Sequence, residues 1–144
     1  MSHQINTEIL IQAKAEKIWS ILTDFEQYPN WNPFIRSVVG NVKTGQKIKV
    51  EIAPPDAKKM VFQPRVLTFE HLKSLSWLGQ LLFPGLFDGE HRFELIDNGN
   101  GSTTFRQSEN FKGILVPLFK KQLDNNTTRG FNLMNEKLKE IAEQ

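Results

Sequence analysis

Apolar and polar residues alternate in the two-residue rhythm of strands on both sides of a turn-rich pentapeptide in the stretch Gly85 to Gly113, GLFDGEHRFELIDNGNGSTTFRQSENFKG. The pattern predicts a long β-hairpin. With the turn at Asp97 to Gly101 and Ile96 paired with Ser102, Leu95 stands opposite Thr103, Phe93 opposite Phe105 and His91 opposite Gln107. Gly89 then faces Glu109, and Phe87 faces Phe111. All of these positions share one face. An imidazole, an amide and a carboxylate among four phenylalanines match a small-molecule site, mostly apolar with a few polar anchors.

The rest of the chain supplies further strands and a cover. Ile5, Ile9 and Ile11 alternate with polar residues in a first strand, and Ala15, Ile18, Trp19 and Leu22 follow the spacing of a short amphipathic helix. Asp24 to Tyr28 suits another helical turn. Pro29 and Pro33 then argue against a helix through PNWNPF and place Trp31 and Phe34 on a rigid bend. Strands are predicted at Ile35–Val39, Lys47–Ile52, Met60–Phe69 and Ser74–Leu78, punctuated by Gly40, Gly45 and Pro54-Pro55-Asp56. Ile48, Val50 and Ile52 alternate with Lys47, Lys49 and Glu51, as in an antiparallel sheet with one wet face.

The cover for the other face is a helix over Val116 to Ala142, opened by Pro117 and striped by Phe119, Leu123, Thr127, Met134, Leu138 and Ile141. At ~1.5 Å per residue it extends roughly 40 Å, enough to cross a sheet. Its stripe falters at Asn126, Thr127 and Gly130, where small or polar residues leave room for a cavity. The predicted class is α+β, with helices on one side of a curved antiparallel sheet.

At 144 residues the chain fits a single domain spanning 1–144. Eleven Phe and three Trp against one Tyr favour a wide, ring-filled interior. The net charge of +2 comes from scattered bases, with only Lys58-Lys59 and Lys120-Lys121 adjacent, which gives nucleic-acid binding little support. The chain has no cysteine, so disulfide and thiolate chemistry are excluded. The start, MSHQINTEIL, has neither the basic region nor the apolar run of a signal peptide, and a cytoplasmic location is expected.

Metal and nucleophile signatures are missing. His3, His71 and His91 are far apart with no partner at ligand spacing, so no metal and no cofactor are expected. No serine lies in a GxSxG elbow, and no catalytic residue is assigned. His91 and Glu109 are the candidates for proton transfer, being diagonal across the predicted strand pair. The alternative is that they bond each other or the backbone and only specify the sheet register. Two apolar loops, 81–87 and 113–119, are expected at one end of the sheet. They suit a mouth or lid, a weak membrane-docking edge, or a small satellite core.

DFEQYPNWNPFIR near the front, FDGEHRFEL in the hairpin, SENFKGIL after it and GFNLMNEKLK near the end, in this order of elements, resemble the SRPBCC (START-like) superfamily. Within it the chain looks like the polyketide cyclase/dehydrase-like subgroup. The resemblance runs from about Ile5 to Ala142 and implies a helix-grip fold, a seven-stranded antiparallel sheet wrapped around the long C-terminal helix, with short helices after the first strand. It implies a deep cavity between sheet and helix and transfers no catalytic set.

Three functions remain open. The first is binding or carriage of a hydrophobic small molecule, such as a lipid, quinone or polyketide-like aromatic. Its candidate site comprises Trp31, Phe34, Trp77, Phe87, His91, Phe93, Phe105, Gln107, Glu109, Phe111, Leu123, Asn126, Thr127 and Gly130. The second is a cofactor-free cyclase or dehydratase that uses His91 and Glu109. The third is an interaction module with a collapsed cavity. Oligomeric state is not readable from the sequence.

Overall fold

The computed structural model describes residues 2–144. Strand β1 (Ser2–Ile11) turns Ile5, Thr7, Ile9 and Ile11 to one face, as period-2 alternation requires. Helix α1 (Ala15–Leu22) follows, with Ile18, Trp19 and Leu22 buried, then a 3₁₀ turn (Phe25–Gln27) and a short helix α2 (Tyr28–Trp31). The expected bend is thus partly helical. Pro29 falls in the first turn of α2, where its missing N–H has no intrahelical role. Asn32 Oδ1 then accepts the backbone N–H groups of Phe34 and Ile35 and turns the chain into the next strand.

Strands β2 (Ile35–Val39), β3 (Lys49–Ile52) and β4 (Met60–Phe62) form one antiparallel sheet. A larger sheet has the order β1-β8-β7-β6-β5, with β5 (Arg65–Glu70), β6 (Ser74–Gln80), β7 (Asp88–Asp97) and β8 (Thr103–Lys112). The predicted strand Met60–Phe69 is therefore two, and the expected seven strands are eight. The break falls at Gln63 and Pro64, where the missing proline N–H interrupts the ladder. A bridge between Lys47 and Arg65, and an Ile48 N–H bonded to Pro64 O at 2.9 Å, stitch the sheets together there.

The hairpin forms two residues out of the predicted register. His91 stands opposite Glu109, Phe93 opposite Gln107, Leu95 opposite Phe105 and Gly89 opposite Phe111. The turn is responsible: Asn98 N–H bonds Ser102 O, Asp97 Oδ1 takes the Gly99 N–H and Asn100 Oδ1 takes the Ser102 N–H. The loop thus begins and ends one residue later than expected. An even shift leaves every side chain on its face, so the predicted inner face survives while its partners change.

The C-terminal helix is continuous from Val116 to Ala142 and changes pitch on the way. Helix α3 (Val116–Gln122) passes through a π turn at Leu123–Thr127 into α4 (Thr128–Ala142). In α4 Phe131, Met134, Asn135 and Leu138 are buried, and Ala142 rather than Ile141 ends the stripe. Helix α4 packs on β1, β8 and α1. Between them Phe93, Phe105, Phe131, Leu75, Met134 and Leu138 are fully enclosed. This is the predicted α+β helix-grip arrangement.

Candidate functional site

A cavity of about 160 Å³ opens between the end of the hairpin, the smaller sheet and the first half of the C-terminal helix. Its walls are overwhelmingly apolar. Phe34, Trp77, Phe87, His91, Glu109, Phe111, Leu123 and Thr127 all line it, as placed from the sequence. The other candidates lie elsewhere. Phe93 and Phe105 stack on each other at 5.9 Å within the solid core. Trp31 packs edge-on against Tyr28 at 5.3 Å, outside the cavity. Gln107 is wholly buried behind His91. Asn126 donates to Pro55 O at 2.7 Å and ties the π turn to the loop after β3. Gly130 leaves no void, because the Phe34 ring occupies the place of its absent side chain.

Several lining residues carried no separate signal in the sequence. Val50 and Ile52 from β3 and Met60 and Phe62 from β4 form the opposite wall. The alternation of β3 was legible, but not that β3 and β4 border the same cavity as Phe119 of α3. Gly79, Gly89 and Pro64 widen the space beside Trp77, and Leu81 and Phe119 guard the rim.

His91 is the most constrained group in the site. Its ring stacks on Trp77 at 5.4 Å and 17°, with Phe93 and Phe131 edge-on at 4.8 and 5.0 Å. Nδ1 lies 2.9 Å from Glu109 Oε1, and Nε2 lies 3.0 Å from Gln107 Oε1. The pair is direct, not diagonal. Behind it runs a buried polar chain: Gln107 Nε2 donates to Asn135 Oδ1 at 2.8 Å and to Phe131 O at 3.3 Å. Asn135 Nδ2 donates to Thr7 Oγ1 at 2.9 Å, and Thr7 donates to Gln107 O at 2.8 Å. Asn135 has a sequence signal, being a polar residue at helical spacing among Phe131, Met134 and Leu138.

This chain has a fixed direction. The carbonyl oxygens of Gln107 and Phe131 only accept, so the Thr7 hydroxyl points at one and the Gln107 amide N–H at the other. Gln107 Oε1 must then accept from His91, which puts a proton on Nε2. The contact on the other side of the ring holds one further proton, either on Nδ1 facing a carboxylate or on Glu109 facing a neutral ring. In either form the pair has no net charge.

Residues 2–143 match the sequence model of the family described as polyketide cyclase / dehydrase and lipid transport. The chain belongs to this family. It shares its fold with the Zhui aromatase/cyclase from Streptomyces sp. R1128, at a TM-score of 0.79 and 11% identity over 99% of this chain and 94% of that one. A START superfamily protein from Mycobacterium smegmatis aligns at a TM-score of 0.71 and 22% identity, covering 96% of this chain and 99% of that one. Norcoclaurine synthase from Thalictrum flavum, in complex with dopamine and hydroxybenzaldehyde, gives a TM-score of 0.72 at 12% identity over 98% and 86% of the two chains. No curated protein matches the sequence. These likenesses establish the fold. The family members span cyclases and lipid transport, which leaves the activity to the site itself.

Among the described residues no group of three or more His, Cys, Asp or Glu side chains is arranged to hold a metal ion. No helix among them is long and apolar enough to cross a membrane.

Proposed function

We propose that this member of the family binds or carries a hydrophobic small molecule in the cavity between the sheet and α3. The single observation that carries the reading is the character of the cavity. Four aromatic rings of the hairpin and its neighbours, Trp77, Phe87, Phe111 and Phe119, surround a space with only one ionisable pair in its wall. A space of this kind takes an apolar, partly flat molecule at a profit of roughly 25 cal/mol for each Å² removed from water. Native mass spectrometry of gently purified protein is expected to show a co-purified apolar molecule, and an apolar fluorescent dye is expected to compete for the same space. A protein that holds neither would end this reading.

The mouth supports carriage. Leu81 N–H bonds Phe87 O at 3.0 Å, and Ile114 and Leu115 N–H bond Gly85 O and Leu86 O at 3.1 and 3.0 Å, so the two apolar loops meet at one end of the sheet. Only glycine fits at position 113, where φ is +136° and a side chain would strike the Leu86 carbonyl. Leu82 is 85% exposed and Ile114 and Leu118 are 75% and 74% exposed, with Lys112, Lys120 and Lys121 exposed beside them. Leu82 also holds a left-handed backbone with φ at +63°, a costly conformation for a solvent-exposed leucine. Exposed apolar side chains with lysines close by in the chain suit an anionic membrane surface from which the ligand is taken up.

A cyclase or dehydratase activity is the second reading. It is favoured by His91 and Glu109 both lining the cavity, in position to exchange a proton with a bound carbonyl chain.

A further inference from the structure

We infer that the site selects an apolar ligand bearing a neutral hydroxyl, which donates a hydrogen bond to Glu109 Oε2, and that it rejects the corresponding carboxylate. The inference rests on the small-molecule reading above and specifies the chemistry of the ligand.

The argument begins with the donors and acceptors already committed. Both nitrogens of His91 are engaged, Nε2 with Gln107 and Nδ1 with Glu109 Oε1. No N–H of the ring is left for a ligand. Glu109 uses only Oε1, and among the described residues no group bonds Oε2. That second oxygen rests over Gly89, in the place a side chain there would fill, and both residues border the cavity. The missing Cβ of Gly89 is what lets the carboxyl group lie there.

Oε2 is an acceptor wherever the shared proton sits. With the proton on Nδ1, Glu109 is a carboxylate, and with the proton on Oε1, Oε2 is the carbonyl oxygen of the acid. The ligand must therefore supply the hydrogen. A hydroxyl does so without bringing charge into an apolar space, whereas a carboxylate would face Oε2 with another acceptor. No lysine or arginine lines the cavity to compensate an anion, and an unpaired buried charge is strongly unfavourable. Thr127 donates or accepts equally well and Gln122 is exposed at the rim, so neither reverses this preference. By the same logic a phenol or hydroquinone is preferred over its methyl ether or the quinone, which only accept.

The test uses three naphthalenes of one shape, titrated into the full chain by calorimetry. 2-Naphthol is expected to bind about tenfold more tightly than 2-methoxynaphthalene, the effect of one hydrogen bond to a carboxyl group, and 2-naphthoate is expected not to bind. Glu109→Met should erase the naphthol preference. Gly89→Ala, whose methyl pushes Oε2 aside while both strands remain paired, should do the same in a variant that keeps every ionisable group. Ether or naphthoate binding as tight as naphthol in the unaltered protein overturns the inference, as does a preference that persists in Gly89→Ala. Absence of binding by all three overturns the inference, and if the native protein also carries no apolar molecule the small-molecule reading fails with it.

Discussion

The two ends of the hairpin carry similar side chains and have opposite fates. Towards the turn, Phe93 and Phe105 stack at 5.9 Å and, like Phe131 and Met134 of α4, are fully buried in the core. Towards the open end, Phe87 and Phe111 approach at 5.7 Å, with Phe119 of α3 edge-on to Phe87 at 5.5 Å, and a cavity lies beside them. The difference lies in the cover. Helix α4 sets large apolar residues against the sheet, whereas α3 meets it across the π turn with Leu123 and Thr127. Phenylalanine is core or cavity wall according to what faces it.

The comparison is broken most forcefully by truncating one ring from each end. Phe105→Ala should lower stability by about 3–5 kcal/mol, the usual loss for a fully buried ring. Phe119→Ala, at a rim position 36% exposed, should cost under about 1 kcal/mol and weaken apolar dye binding instead. Urea unfolding and dye titration of both variants separate the two roles. Equal destabilisation would mean that the ends are not distinct.

Next in size is Asn135→Leu, which removes the link between Gln107 and Thr7 and leaves both groups buried without it. A loss of about 1–3 kcal/mol is expected. Because Phe131 O still takes a Gln107 amide N–H, ¹⁵N NMR of His91 should show the Nε2 proton retained. Loss of that proton would mean that Asn135, rather than Phe131 O, orients the Gln107 amide.

Tyr28, the only tyrosine, gauges whether the packed side of the molecule opens at high pH. Burial pushes its phenol far above the ordinary range, and its hydroxyl donates to Leu22 O. The folded state favours the neutral form, so this contribution is complete below the unfolded value of about 10 and is lost as pH rises beyond it. Absorbance at 295 nm should therefore rise together with unfolding. Ionisation in the intact fold near pH 10 would contradict the buried placement.

The smallest effect on stability is expected at the mouth. Leu82→Asp with Ile114→Asp should alter unfolding by less than about 0.5 kcal/mol while abolishing co-sedimentation with anionic vesicles. Sedimentation that is absent in the unaltered protein, or unaffected by the pair, would remove the membrane from the account.

Alternation made the inner face of the hairpin legible, and it survived a register error because the error was even. The direct His91–Glu109 pairing was not legible, since it depends on which side chains close the turn at Asp97, Asn98 and Asn100. The gap in the helix stripe was read as room for a cavity at Asn126, Thr127 and Gly130, and of these Thr127 borders the space. Small residues at Thr127 and Gly130 have different neighbours: Thr127 borders the cavity and Gly130 receives Phe34. Such a complement comes from a residue nearly a hundred positions away. The wall formed by β3 and β4 depends likewise on how the chain bends at Pro64, which local periodicity does not encode.

The π turn at Leu123–Thr127 makes the aim of the mouth depend on a residue count. Removing one residue there would restore an ordinary helix and swing α3 by about 100° about its axis relative to α4. Helix α4 would stay seated, but Phe119 and Gln122 would turn away from the cavity they now border. A length change of one, with no change in hydrophobicity, would thus separate entrance from chamber.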